Sequence, residues 1–452
     1  SRRSFIGKSA AVMAGTAAMA TLPGCGLTKV SSTTADLAPK EGKWVPAACW
    51  HNCGGRCPNY AYVLEGVVTR QKTDDTHPDT PDYPQQRGCI RGRAQRKQVF
   101  GADRLKYPMK RKNWEPGGGK KELRGQDEWV KISWDEALEI VASEIKRIQG
   151  KYGNKAIFSS NPGDVGRTLS LAGGYVSAWG TSSWGSWRWG PEKFGMAEGF
   201  FDQSINDRID LRNSQLIVIV GGNPAWSAAG NPTYNYLQAK KAGAKFVFID
   251  PSYSDSVELL DADWIPIYPA TDHAMFLGMA YTLVTEDNPA FNPLIDWDFL
   301  NKCTVGFDQD HMPEGADPKE NFRDYVFWTY DKTPKTPEWA SEICGVSAAK
   351  IRELALEIAK TERVALLTAW GPARTHNSDS WPQMFMTFGA MTGHMGQSGR
   401  MTGVSCHYAT GNGGPWLVTA GGAGLPVIAN PIKESINDNE MWLAILDGKY
   451  TA

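Results

Sequence analysis

No stretch of the 452-residue sequence approaches the ~20 consecutive apolar residues that a membrane-spanning helix requires. A hold on a bilayer therefore has to come from a lipid or from a partner. A dominant charge is also missing, since 48 Lys and Arg face 49 Asp and Glu for a formal net charge of -1. Such a chain has no global field for nucleic acid or an anionic membrane surface, and nucleic acid is not expected as a partner. Short repeats and low-complexity tracts are absent, which excludes solenoids and long disordered tails. What is present is ordinary globular composition, 41% hydrophobic and 21% charged, with 47 Gly and 27 Pro to build many turns. At about 150 residues per domain the length allows roughly three domains. The eight Cys are uneven, four of them falling between Cys49 and Cys89.

The two ends differ from the rest. Ser1-Arg2-Arg3-Ser4-Phe5-Ile6-Gly7-Lys8 leads into a mildly apolar run from Ala10 to Leu22. An Arg pair before Phe-Ile and a weakly hydrophobic run resembles a twin-arginine export signal, so residues 1–30 are expected to be a targeting segment. The competing reading is a basic amphipathic start to a globular chain. Export of this kind implies the periplasm or the outer face of the cytoplasmic membrane. Leu22-Pro23-Gly24-Cys25 has the layout of a lipoprotein box, with lipidation of Cys25 set against an unmodified or removed cysteine. Residues 31–43 read as a polar linker. Met441 to Lys449 reads as a helix at the far end.

Between these ends the pattern alternates. Ser133-Trp134-Asp135-Glu136 is a capping box, followed by Leu138, Val141, Ile145 and Ile148 at helical spacing until Gly150. Apolar runs at Ala156 to Phe158, Leu216 to Val220, Phe246 to Ile249 and Val364 to Thr368 read as strands. Helical patterns at Tyr234 to Ala242 and Ala348 to Lys360 lie between them. Alternating strands and helices imply an α/β fold with doubly wound parallel sheets, whose sites lie beyond the carboxyl ends of the strands. Pro116 to Lys121 is a Gly- and Lys-rich loop that lacks the Ser or Thr of a phosphate cradle.

Cys49, Cys53, Cys57 and Cys89 form C-x3-C-x3-C-x31-C. Four thiolates from one compact loop and one distant residue suit a [4Fe-4S] cluster. Structural zinc favours paired C-x2-C knuckles, which this loop lacks, and disulfides are the competing reading for an exported protein. Gly54, Gly55 and Pro58 suit a loop that wraps a metal core, and His51 inside the loop is not expected to be a ligand. Arg91 follows the fourth cysteine, either as a cation that bridges the cluster to a second redox centre or as a surface arginine.

Cys49-Trp50-His51-Asn52-Cys53-Gly54-Gly55-Arg56-Cys57-Pro58, Cys89-Ile90-Arg91-Gly92-Arg93 and Asp103 to Arg111 resemble the catalytic subunit of the dimethyl sulfoxide reductase family. The similarity continues in order to about residue 400. It implies an amino-terminal iron-sulfur domain (44–110) followed by α/β domains over 111–430 that bind molybdenum, or tungsten, as the bis(molybdopterin guanine dinucleotide) cofactor.

On residue chemistry alone, Gly221-Gly222-Asn223-Pro224 after one strand and Asp250-Pro251 after the next are a moderate dinucleotide signal, balanced by an ordinary sheet turn and a capping Asp. The resemblance implies that Gly222, Asn223, Pro224, Asp250 and Pro251 follow one pterin dinucleotide and that Asp272, in Trp264 to Ala274, meets its guanine. Ala270 stands where the family has glycine. Trp370, Gly371 and His376, with Gly393 and Gly396, are implied to approach the other pterin; as turns after strands they are otherwise plain loops. Gly173-Gly174-Tyr175 leads without a gap to Ser183, which falls on the position of the protein ligand to the metal. An alkoxide there is a hard donor for a high-valent metal, with Ser186 as its competitor and a loop serine as the plain alternative. Trp184, Trp187 and Trp189 line either a substrate pocket or local core, and Arg188 and Glu192 are candidates for orienting substrate.

The expected function is reduction of an S-oxide, N-oxide or other oxygenated small molecule by oxygen-atom transfer. Electrons would come from a ferredoxin-like iron-sulfur subunit tied to a membrane anchor subunit, enter through the cluster on Cys49, Cys53, Cys57 and Cys89, and pass by Arg91 and the pterin to the metal on Ser183. The alternatives are a hydratase, transhydroxylase or reductive dehydroxylase on the same cofactor, or an inactive fragment or electron carrier. The last arises because family members run to about twice this length and residues 431–452 read as a truncated end.

Overall fold

The computed structural model describes residues 41–49, 57–73, 75–85, 87–161, 163–180, 185–188, 190, 205–329, 331–404 and 427–449. The expected export signal, Cys25, Cys53, His51, Ser183, Trp184, Trp189 and Glu192 lie outside them, as does the side chain of Arg188.

Lys43–Ala48 (β1), Pro58–Leu64 (β2) and Val67–Thr73 (β3) form an antiparallel sheet in that order. Glu65 and Gly66 both take positive φ, 51° and 80°, which is the turn whose twist matches a two-residue hairpin. Ile90–Val99 (α1) lies along the open edge of β3, where Arg96 Nε donates to the carbonyl of Thr69 at 2.8 Å.

Trp134–Tyr152 (α2) starts where the capping box places it, with Ser133 Oγ accepting from the Glu136 amide at 3.0 Å. It runs past Gly150 and stops at Gly153, whose φ of 79° ends the helix. A glycine inside a helix costs only about 1 kcal/mol, so Gly150 alone does not break it.

A five-stranded parallel sheet holds the core. Its strands are Leu216–Val220 (β4), Lys245–Ile249 (β5), Asp263–Ile265 (β6), Val364–Thr368 (β7) and Met401–Val404 (β8), in the spatial order β6-β5-β4-β7-β8. Every residue of β4 and β7 is buried, because both faces are covered. Asp272–Glu286 (α4), Ala348–Lys360 (α5) and Trp381–Met391 (α6) cover one face, packing Met275, Phe276, Ile351, Ile358 and Phe388 on Val218, Val220, Val247 and Leu366. On the other face Asn231–Lys241 (α3) and Asp255–Leu260 bring Tyr236, Ala239, Val257 and Leu260 onto Ile217, Ile219, Phe246 and Leu367. This is the doubly wound α/β arrangement expected from the alternation of strands and helices.

A second parallel sheet joins Phe158–Ser159, Val176–Trp179 and Ser435–Asn437. The segment after residue 430 is therefore built into the fold. Asn430 Nδ2 donates to the Tyr175 carbonyl at 2.8 Å, and the Ser177 amide donates to the Glu434 carbonyl at 3.2 Å. Ser435–Asn437, past the expected boundary at 430/431, pairs with a strand before it, and the expected helix follows at Met441–Asp447.

Ala270 has φ of 68°, a conformation that favours glycine. Ala270→Gly is predicted to stabilise the chain by about 1 kcal/mol, read as a raised midpoint in urea with an unchanged slope. An unchanged or lowered midpoint would contradict the strain.

Candidate cofactor edge and cluster site

The cysteine site begins at the mouth of the β1–β2 pair. Cys49 follows β1, Cys57 precedes β2, and the Cys49 amide donates to the Cys57 carbonyl at 2.9 Å, closing the loop between them. Cys89 caps α1. Gly92, one turn along α1, stands so near Cys49 that an added Cβ would lie 3.3 Å from its Sγ, and Cys57 Sγ is 3.4 Å from the Arg87 carbonyl. Cys49 and Cys57 thus lie beside the chain that flanks Cys89, at Arg87 and Gly92, without forming a three-residue metal group among the described residues, and Cys53 lies outside them.

Asn59 was passed over in the sequence. It is 3% exposed, and both its amide atoms lack a hydrogen-bond partner among the described residues. It lies against Gly88 and Gly92, where an added Cβ would come within 2.4 Å of its Oδ1 and 3.8 Å of its Nδ2 respectively. A buried amide left unspent beside Gly92, which also abuts Cys49 Sγ, fits a bound cluster, whose sulfurs accept N–H donors. Its only sequence signal is its place two residues after Cys57, pointing inward on a strand.

Arg91 leaves α1 in the opposite direction. Its guanidinium lies 5.0 Å over the ring of Trp226 and donates to the carbonyls of Trp226 and Ser227. Gly230 presses on the same unit, since a Cβ there would sit 2.4 Å from the Arg87 carbonyl, and Arg87 stacks 3.6 Å over Tyr234. The cysteine unit is clamped onto the turn that follows β4.

That turn lies at the carboxyl edge of the large sheet. The chain moves outward from β4 through β5 to β6 on one side and from β7 to β8 on the other, so the strand order reverses between β4 and β7. A crevice opens at such a point. Gly221, with φ of 62°, and Gly371 flank it: a Cβ on Gly221 would come within 2.4 Å of Pro372, and one on Gly371 within 3.0 Å of the Gly221 carbonyl. Gly222 and Pro224 are buried in this turn. Asn223 spends its side chain on structure, accepting from Ser256 Oγ at 2.7 Å and donating to Asp255 at 3.3 Å, which ties this turn to the one after β5. Asp250 follows β5 and accepts from the Ser252 amide at 2.9 Å, with Pro251 exposed beside it. Asp272 opens α4, just past β6.

The two carboxyls have unusual surroundings. Burial raises Asp250 above the ordinary carboxylate range, and burial together with the Asp250 charge pushes Asp272 up to about 6. Trp370 is buried, while His376 is exposed on the loop that follows Gly371–Arg374. The turn Gly185–Arg188 packs on that loop so closely that a Cβ on Gly185 would lie 1.9 Å from the Ala373 carbonyl. Ser183, two residues earlier, is outside the described residues. Ser186 is buried, and its Oγ has no hydrogen-bond partner among them. Trp187 is fully buried core.

Gly393 and Gly396 are not brought to this edge. They lie in the turn that carries α6 into β8, at the amino end of the sheet, where Gly393 abuts Asp296 and nearby Gly399 abuts the Asn213 carbonyl that precedes β4. His394 in the same turn is a core group. Its Nε2 donates to the Ile358 carbonyl at 3.0 Å, and burial lowers its pKa to about 4.

A family model for molybdopterin oxidoreductases matches residues 104–438, and one for the molybdopterin oxidoreductase Fe4S4 domain matches residues 42–100. The chain belongs to the molybdopterin oxidoreductase family. Dimethyl sulfoxide reductase DmsA of Escherichia coli is 34% identical over 421 residues, covering 88% of this chain and 48% of that protein. Trimethylamine-N-oxide reductase of Haemophilus influenzae is 33% identical over 346 residues, covering 72% and 39%. This molybdopterin oxidoreductase chain spans about half the length of the curated relatives it matches most fully. Acetylene hydratase from Pelobacter acetylenicus superposes with a TM-score of 0.53 at 23% identity, over 78% of this chain and 44% of that one, a likeness of fold.

The raised pKa of Asp272 has a sign. The folded carboxyl holds its proton more tightly than the unfolded one, so its favourable contribution is complete below about pH 4 and is lost as pH rises through 6. Asp272→Asn is predicted to stabilise the cofactor-free chain at pH 8 by on the order of 2 kcal/mol, with the gain gone at pH 4. Urea unfolding at both pH values tests this, and a destabilised variant at pH 8 would contradict it.

Proposed function

We propose that this chain is the catalytic portion of an exported molybdopterin enzyme that removes oxygen from an S-oxide, N-oxide or related small molecule. The observation that carries the reading is the clamp of the cysteine unit, through Arg91, onto the turn beside the strand reversal. A relay cluster and a cofactor crevice are useful to each other only at such closeness.

When bound, the molybdenum (or tungsten) cofactor supplies two-electron oxygen-atom chemistry, and the cluster supplies one-electron relay. The chain's residues do the holding. Cys49, Cys53, Cys57 and Cys89 ligate the cluster, and Asn59 offers its amide to a cluster sulfur. Arg91 sets a fixed positive charge between cluster and crevice, favouring the reduced state on its near side. Gly221, Gly222 and Gly371 let backbone approach phosphate, Asp250 accepts from a ribose hydroxyl, and Asp272 accepts from the N–H edge of guanine in the dinucleotide form. Pairing with those N–H groups favours the Asp272 carboxylate and repays its burial. Ser183 is the metal ligand, and Trp370 and His376 face the second pterin. Gly393 and Gly396 keep a supporting place behind that edge. Electrons arrive from a ferredoxin-like iron-sulfur subunit with a membrane anchor subunit, outside the cytoplasmic membrane.

The experiment is viologen-linked reduction of dimethyl sulfoxide and trimethylamine N-oxide by purified holoenzyme. Ser183→Ala is expected to lose at least about a hundredfold in kcat while keeping its cluster EPR signal. Arg91→Met is expected to keep both metals and slow substrate-driven reoxidation of the cluster about tenfold in stopped flow. Unchanged reoxidation in Arg91→Met would remove its bridging role, and no reduction of either oxide class would overturn the proposed chemistry.

A further inference from the structure

The sheet of β1, β2 and β3 has two unlike faces. On β2, Asn59 and Ala61 are buried on the cysteine side, and Tyr60 and Tyr62 alternate with them onto the other. Trp44 of β1 stands opposite Tyr62, while Arg70 and Lys72 of β3 stand opposite Tyr62 and Tyr60. One face thus carries Trp44, Tyr60, Tyr62, Arg70 and Lys72 side by side.

The rings hold the two cations in place. The Arg70 guanidinium lies 4.4 Å over Tyr62 and 5.8 Å over Trp44, and Lys72 Nζ lies 4.9 Å over Trp44 and 5.5 Å over Tyr60. Trp44 and Tyr62 meet at 5.1 Å, and the Tyr62 hydroxyl accepts from the Gly42 amide at 2.9 Å. Trp44 nevertheless stays exposed. Long side chains fixed in advance lose less freedom on binding, and Trp, Tyr and Arg are the residues that carry most interface energy. The clamp to the large sheet runs through Arg87 and Arg91 and uses none of these five side chains.

Charge decides what fits. Residues 42–100 hold nine Lys and Arg against five Asp and Glu, in a chain whose formal net charge is -1. Lys72 pairs with Asp75 at 2.6 Å, but Arg70 has no carboxylate partner among the described residues. Along the edge of β3, α1 adds Arg93, Arg96 and Lys97.

We propose that this face docks an acidic electron-donor protein carrying an iron-sulfur cluster. Each encounter passes one electron from the donor's reduced cluster, which is oxidised, to the cluster on Cys49, Cys53, Cys57 and Cys89, which is reduced. This rests on the proposed entry of electrons through that cluster and adds the surface that receives the donor.

Stopped-flow reduction of the holoenzyme by reduced ferredoxin, a small acidic protein, tests it, with methyl viologen radical as a reductant that needs no docking. The ferredoxin rate is expected to fall steeply as salt rises. Arg70→Glu combined with Lys72→Glu should slow it about tenfold at low salt and leave the viologen rate and the cluster EPR signal unchanged. Trp44→Ala, which releases both cations, should slow it about threefold, and Arg124→Glu, an exposed cation on a separate loop, should change nothing. No reduction by ferredoxin, a rate indifferent to salt or to the double reversal, or equal slowing by Arg124→Glu would overturn the inference. So would phosphatidylglycerol vesicles that bind the chain through Arg70 and Lys72 while ferredoxin reduction ignores both, since the face would then be a lipid contact. Failure of viologen itself to reduce a cluster would overturn the proposed function and this inference with it, whereas any of the other contrary results beside normal viologen reduction counts against the docking face alone.

Discussion

The parallel pairing of Leu216–Val220 with Val364–Thr368 is the constraint on which the rest of the structure depends. Register runs from Val364 opposite Leu216 to Thr368 opposite Val220, so both strands end level and release Gly221 and Ala369 at one edge. The Ala369 amide donates to the Val220 carbonyl at 2.9 Å, extending the pairing one residue past the strands. Side chains on both faces are buried, and a slip of one residue would turn each face inside out. Gly221 and Gly371 can meet only because this register is fixed.

The cysteine unit has little core of its own. Trp44, Val45, Val67 and Ile90 are exposed, and its sheet has only three strands. It is held to the large sheet by directed contacts: Arg91 on the Trp226 and Ser227 carbonyls, Arg87 on Tyr234, and the close approach at Gly230. Stability is given up where the crevice needs it. Ala270 accepts a left-handed conformation, Asp250 and Asp272 are carboxyls largely kept from water, and Asn59 has an amide without a partner among the described residues.

Much of this was legible in the sequence. The Val- and Ile-rich runs at 216–220 and 364–368 announce doubly buried strands because parallel strands have no polar face. The spacing of the cysteines announces an iron-sulfur domain, and the family model for an Fe4S4 domain matches residues 42–100. Local chemistry says less about ends and distances. Gly393 and Gly396 mark a turn, and glycine cannot tell whether a turn enters a strand or leaves one; the order helix, turn, strand places it at the amino edge. Pairing of Ser435–Asn437 with Val176–Trp179 joins residues some 250 positions apart, and a three-residue strand carries no periodicity that would reveal it. Asn59 became visible only when its neighbours in space, Gly88 and Gly92, were known.

The central claim is that one chain gathers a cluster and a pterin dinucleotide metal centre at a common edge. Metal and nucleotide content of the purified protein measures this most directly. The account predicts about four iron and about two guanine nucleotides for each molybdenum or tungsten, with a reducible iron-sulfur EPR signal. Protein carrying neither molybdenum nor tungsten, and showing no reducible cluster when purified without air, would contradict it.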